Sequence, residues 1–207
     1  MDAGRWRERA EAAGARHRRP QQGSVPVFGH PLDAVTPEAW ARVGARIEVP
    51  LAYPELTVRK NPHIACLLHQ ADPRRVADSL SEWRLDAVAD RRFRRLSLLG
   101  NRQRVGLAVA MQHDPSLIML DEPSNALDPA SVILLREQLL RCAQDGAAIV
   151  VSSHHLDEVA RIADRALLMN AGRLIGELDV TGQDLERTFF ERIRQDDEKC
   201  TAAEAVR

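Results

Sequence analysis

The chain has 207 residues, 44% of them hydrophobic and 29% charged, so it can bury one core and keep a soluble surface. A formal net charge of -1 excludes a global electrostatic attraction to nucleic acid or to anionic lipid. Three widely spaced cysteines exclude a disulfide framework and a Cys-x-x-Cys zinc site, and the sequence contains no apolar run long enough to cross a bilayer. We therefore expect a cytosolic protein that reaches a membrane only through a partner.

The first half of the chain gives irregular signals. Residues 1–22, rich in Arg, Ala and Glu, form an atypical N-terminal segment that could be a short helix or disordered. Residues 25–28 predict a strand, which Pro26 restricts to an edge or an irregular start. Pro62 is expected to interrupt a helix that the pattern over residues 58–70 would otherwise predict.

From residue 101 onward, short apolar runs alternate with helical patterns. Strands are predicted at 117–120 and 147–151, helices at 129–144 and 155–163, and a hairpin from 167–169 and 173–178. This alternation indicates a parallel sheet with both faces buried under helices. Residues 181–194 predict a closing helix, and residues 195–207 a loose, charged tail.

The strand predicted over residues 117–120 ends in two adjacent acids, Asp121 and Glu122, which Pro123 follows. Nucleotide hydrolysis needs one carboxylate at the end of a buried strand to hold hydrated magnesium, and a second near the γ-phosphate to orient or deprotonate water. Because the chain turns at a strand end, both side chains can reach the phosphate crevice. Taken alone, these residues could also be a strand that ends in solvated acids.

Further motifs surround this pair in a fixed order. They are Gln103-Arg104-Val105-Gly106 before it, Ser124-Asn125-Ala126-Leu127-Asp128-Pro129 directly after it, and Ser152-Ser153-His154-His155 after the next apolar run. Over residues 23–180 the chain resembles the ABC ATPases, whose signature, Walker B with its glutamate, D-loop and switch histidine follow one another in this order. Residues 47–57 resemble that family's Q-loop region. Glu48 stands at the usual glutamine, as in exporters of the bacitracin and lantibiotic type; a surface turn is the alternative there.

The resemblance implies an α/β fold, a mostly parallel sheet flanked by helices, with a small helical subdomain over about residues 55–95 and a C-terminal helix and tail over residues 181–207. ATP and Mg²⁺ are the implied cofactors. The implied roles are magnesium binding for Asp121, catalysis for Glu122 and His154 (preferred over His155), and nucleotide binding for Gly100, Asn101, Asp128 and Glu48.

Implied partners are a transmembrane permease and a second ABC ATPase subunit, in a homo- or heterodimer, with the chain peripheral on the inner face of the cell membrane. Nucleic acid is not expected as a partner. The basic run at residues 91–95 holds one aromatic residue, which favours a solvated or phosphate-facing loop over a nucleic-acid site.

Two departures from the family pattern stand out. The 207 residues contain no Gly-Lys dipeptide and therefore no Walker A loop, which predicts an N-terminally incomplete member without the first strands and the P-loop. In the signature, the serine position falls on Leu98, and Ser97 lies one residue too early. Truncation, decay and altered function are all open explanations.

We therefore expect an ATP-binding and ATP-hydrolysing subunit of an exporter that works with a separate permease, with weak Mg-ATP binding by the chain alone. The alternatives are a non-catalytic, ABC-like interaction subunit and a remnant that folds poorly.

Overall fold

The computed structural model describes residue 20 and residues 22–47, 52–182 and 184–205, the last four of these by their backbone only. The chain divides into a larger compact unit, Glu11–Ser152, and a smaller one that contains Ser153–Arg207.

The larger unit is of mixed α/β type, as the sequence predicts. Its elements are β1 (Pro26–Val27), β2 (His30–Pro31), α1 (Pro37–Trp40), β3 (Val43–Arg46), α2 (Lys60–Leu68), α3 (Arg75–Glu82), α4 (Leu99–Met111), β4 (Leu117–Asp121), α5 (Pro129–Gln144) and β5 (Ala148–Ser152), with 3-10 turns at Asp86–Val88 and Phe93–Arg95. Strands β3, β4 and β5 pair in parallel in that order. Strand β4 lies in the middle of this sheet, where both of its faces are covered, and this explains its continuous apolar run.

Strands β1 and β2 form a two-residue antiparallel hairpin in which Pro26 lies opposite Pro31. Phe28 and Gly29 make the turn with φ of 50° and 80°, the backbone of a two-residue hairpin turn that matches strand twist. Proline cannot donate to a ladder, which keeps this hairpin short.

Pro62 does not interrupt a helix, so that prediction is wrong. Helix α2 begins at Lys60, which makes Pro62 its third residue. The amides of a first turn have no partner within the helix, and a proline there removes no hydrogen bond. Burial of apolar side chains stabilises the next helix, α3, and the turn after it, since Leu80, Trp83 and Leu85 are at most 1% exposed.

Helix α4 packs very closely against β3. It is buried on almost every side, from Gln103 through Met111. Gly44 is the strand residue at the point of contact, and a Cβ there would lie only 2.1 Å from the Ala110 carbonyl oxygen. The absence of a side chain at this position therefore allows the helix and strand to approach.

The smaller unit contains α6 (Leu156–Ala160), β6 (Ala166–Asn170), β7 (Arg173–Leu178) and α7 (Leu185–Ala205), with β6 and β7 paired antiparallel. The tail predicted as loose over residues 195–207 is helical as far as Ala205. Asp196 explains this, because it accepts hydrogen bonds from Asn170 (2.9 Å) and Arg173 (2.8 Å) at the hairpin turn. Within the described part of the chain, the helices are all too short or too polar to span a bilayer.

Candidate active site

Asp121 is the last residue of the central strand β4 and is only 9% exposed. Its register partner on β5 is Ser152, whose hydroxyl donates a hydrogen bond to Asp121 Oδ1. Ser152 is itself buried. The carboxylate is thus held at the carboxyl end of the sheet, the edge at which open α/β sheets bind ligands.

Glu122 lies where the backbone leaves the strand. Its φ of 44° is in the left-handed region, which costs a residue with a Cβ about 1–2 kcal/mol. The turn is fixed on both sides: the Glu122 N–H donates to the Ser152 carbonyl at 3.0 Å, and the Glu122 carbonyl accepts from the Asn125 N–H at 3.2 Å. Backbone strain held by surrounding hydrogen bonds is typical of functional sites.

Arg46, which the motif reasoning missed, lies beside Asp121. It ends β3, is 3% exposed, and donates from Nη1 to the Asp121 carbonyl oxygen at 2.9 Å. Its Nη2 donates to Gln103 Oε1 at 2.7 Å. Burial lowers the pKa of Arg46, and the charge of Asp121 opposes that effect. No local sequence pattern marks Arg46, because its partners Asp121 and Gln103 lie 75 and 57 positions away in the chain.

The start of α4 lies against the turn that follows the acids. Gln103 Nε2 donates to the Asn125 carbonyl at 2.8 Å. A Cβ on Gly100 would lie 3.2 Å from the Ala126 carbonyl oxygen, so the backbone of α4 comes close to this turn at Gly100. Ala126 has a φ of 64°, a second left-handed residue in the same turn. Two of the predicted motifs, signature and D-loop, are therefore neighbours within one unit.

Asp128 caps helix α5. Its Oδ1 accepts from the Ser131 N–H at 2.9 Å and its Oδ2 from the Ser131 hydroxyl at 3.0 Å. These hydrogen bonds lower the pKa of the Asp128 carboxyl. The structure gives Asp128 a role in helix stability, and the nucleotide-binding role implied for it stays a prediction.

The signature region presents no hydroxyl at the expected position. Leu98 precedes the first residue of α4 and is 64% exposed, and Ser97 is an exposed loop residue before it. Asn101 Oδ1 accepts a hydrogen bond from the Arg104 guanidinium. The implied nucleotide-binding roles of Gly100 and Asn101 stay predictions.

Two predicted residues lie elsewhere. Glu48 falls outside the described residues. His154 belongs to the smaller unit, where its side chain is exposed and its ring centroid lies 4.0 Å from that of His155. The His155 N–H donates to Ser153 Oγ at 3.0 Å, which fixes the backbone after β5. The preference for His154 as the catalytic histidine stays a prediction.

The acids at the end of β4 suit a hard cation that is shared with phosphate. Among the described residues, no group of three or more His, Cys, Asp and Glu could hold a metal ion by itself. Mg²⁺ does not need such a cage, because it keeps several waters and binds one or two carboxylates together with substrate phosphates. Asp121, a buried carboxylate oriented by the Ser152 hydroxyl, fits that requirement.

Comparison with known proteins identifies the family of the chain. A family model described as ABC transporter matches residues 13–125, more than half of the 207 residues. The chain therefore belongs to the ABC transporter family, among the ATP-binding subunits.

Similar curated proteins are ATP-binding proteins of such transporters. The chain is 31% identical over 185 residues to the uncharacterized ABC transporter ATP-binding protein YhcH of Bacillus subtilis, covering 87% of this chain and 60% of that protein. It is 34% identical over 167 residues to the bacitracin transport ATP-binding protein BcrA of Enterococcus faecalis, covering 78% and 53% respectively. The chain thus spans between half and two thirds of the length of these relatives.

A solved structure titled as the ATP binding subunit of an ABC transporter superposes with a TM-score of 0.83. The match covers 93% of this chain and 85% of that one at 23% sequence identity. At that identity the comparison supports the fold, and the α/β prediction is confirmed.

Proposed function

We propose that the chain is the ATP-binding and ATP-hydrolysing subunit of an exporter, coupling hydrolysis to transport by a separate membrane permease. The observation that carries this proposal is the end of β4. There a buried Asp121 is oriented by the Ser152 hydroxyl, and Glu122 follows it in a strained turn fixed by two backbone hydrogen bonds. The exporter assignment is supported by the relative named for bacitracin transport.

In the proposed reaction, water attacks the γ-phosphate of ATP and releases ADP and phosphate. Glu122 orients the water and accepts its proton, and His154 contacts the γ-phosphate. Asp121 holds Mg²⁺, which when bound neutralises charge on the phosphates. Gly100, Asn101, Asp128 and Glu48 are proposed to contact nucleotide.

The proposed assembly places the chain on the inner face of the cell membrane. A permease would anchor it, and a second ABC ATPase subunit, identical or different, would complete the nucleotide site. Gly100 lies close to the Ala126 carbonyl oxygen, so the signature segment is next to the D-loop segment. This supports the proposal, because in the family that the chain resembles both segments face the partner subunit.

The test is phosphate release from ATP in membrane vesicles that contain the chain and the membrane protein encoded beside it. Glu122→Gln removes the proton acceptor and keeps the shape of the side chain. We expect the rate to fall at least about 100-fold, the usual effect of losing a general base. Glu137→Gln, on an exposed site of α5, is the matched control and should leave the rate unchanged.

A second function, that of a non-catalytic interaction subunit, is favoured by Leu98, which offers no hydroxyl at the expected signature serine. The same vesicle assay distinguishes the ATP-hydrolysing subunit from the non-catalytic interaction subunit. Transport and complex formation that survive Glu122→Gln unchanged would support the interaction subunit and contradict the enzyme.

A further inference from the structure

The most unusual group in the larger unit is a buried guanidinium. Arg46 is 3% exposed at the end of a β-strand, and its Nε has no hydrogen-bond partner among the described residues. A buried cation is costly unless its donors are matched. Arg46 therefore depends on the two acceptors it does have, the Asp121 carbonyl at 2.9 Å and Gln103 Oε1 at 2.7 Å.

Gln103 extends this contact to the turn after the acids. A guanidinium can only donate and a carbonyl can only accept, so the Gln103 amide is oriented with its oxygen on Arg46 and its nitrogen on Asn125 O. Gln103 is 6% exposed, and water cannot easily replace either bond. A continuous hydrogen-bonded path therefore joins the Asp121 carbonyl to the Asn125 carbonyl.

The two ends of this path enclose Glu122. Asp121 precedes it, and the Asn125 N–H donates to the Glu122 carbonyl at 3.2 Å. The left-handed backbone at Glu122 is the strained point between the ends. Fixing both ends holds that strain in place.

We propose that Arg46 and Gln103 are positioning residues, which join the paired acids and the turn containing Asn125 into one rigid body. This inference rests on the proposed function for its catalytic meaning. The structural part of the proposal is that Gln103, held by Arg46 at the end of β3, limits the motion of the turn containing Asn125. This part can be tested without nucleotide.

Gln103→Glu separates the two halves of the path. A carboxylate still accepts from Arg46 but cannot donate to the Asn125 carbonyl. The matched control is Gln138→Glu, because Gln138 is 9% exposed and accepts from Arg141 at 2.5 Å on α5. Arg46→Met removes both hydrogen bonds that Arg46 donates, to the Asp121 carbonyl and to Gln103. If the Arg46→Met protein does not fold, Gln103→Glu still tests the proposal.

The measurement is amide hydrogen exchange on the purified chain, resolved to single residues. In Gln103→Glu we expect the Asn125 and Leu127 amides to exchange about tenfold faster, the effect of one lost hydrogen bond on local opening. Amides of Ile118 and Met119 in β4 should be unchanged. Gln138→Glu should leave all four amides unchanged.

The proposal is overturned if Gln103→Glu leaves exchange at Asn125 and Leu127 at the wild-type rate, or accelerates β4 amides equally. The vesicle assay then tests whether the path affects ATP hydrolysis. In that assay Gln103→Glu should lower kcat with little change in KM for ATP. If Glu122→Gln has no effect on turnover, the proposed function fails, while the exchange result still decides whether the path exists.

Discussion

Gly44 is the residue at which a single methyl group should most disturb the fold that carries the site. An alanine Cβ would lie 2.1 Å from the Ala110 carbonyl oxygen and 2.9 Å from Pro115 Cγ. Neither neighbour is the end of a flexible side chain, since one is helix backbone and the other a proline ring. Relief requires β3 and α4 to separate by roughly 1 Å, and such overpacking costs about 3 kcal/mol or more.

Urea unfolding of Gly44→Ala, followed by circular dichroism, measures this cost. The control is Gly100→Ala, where the nearest contact is a single carbonyl at 3.2 Å and helix propensity favours alanine. We expect the control to remain within about 1 kcal/mol of the wild-type stability. A Gly44→Ala variant that is equally stable would refute the close approach of α4 to β3.

Three further predictions concern stability. Asp128→Ala should lower the free energy of unfolding by about 1 kcal/mol through loss of the α5 cap, whereas Asp128→Asn should retain most of it in the same urea titration. Burial, and then the neighbouring charge of His69, lower the pKa of His113 from 6.5 to about 4. The unfolded chain therefore binds more protons over this window, and stability should fall by up to about 3 kcal/mol as pH decreases from 6.5 to 4. His113→Phe should reduce that pH dependence, and an unchanged slope would show that other groups cause it. Ala126→Gly should raise the melting temperature by relieving a φ of 64°, worth about 1 kcal/mol, whereas Ala143→Gly in α5 should lower it.

The parts of the fold that could be predicted are those determined by residues close together in the sequence. Helix α5 has the predicted bounds of residues 129–144 because a capping aspartate and a first-turn proline mark its start. Strand β4 was predicted because a central strand of a parallel sheet reads as an unbroken apolar run. The paired acids were found by their place at the end of that run.

The features that could not be predicted depend on contacts distant in sequence. Arg46 is hydrogen-bonded to residues 57 and 75 positions away, and no local pattern indicates that its side chain is buried. The close approach at Gly44 depends on Ala110 in the same way. Pro62 was misread because its effect depends on where the helix begins, the least certain part of a sequence pattern.

The central claim is that Asp121 and Glu122 have separate roles in one reaction. Phosphate release measured against Mg²⁺ concentration, in vesicles carrying wild type, Asp121→Asn or Glu122→Gln with the permease, tests it most directly. We predict that Asp121→Asn requires a higher Mg²⁺ concentration for half-maximal rate, and that Glu122→Gln keeps the wild-type Mg²⁺ dependence at a rate at least about 100-fold lower. Wild-type curves from both variants would contradict the claim.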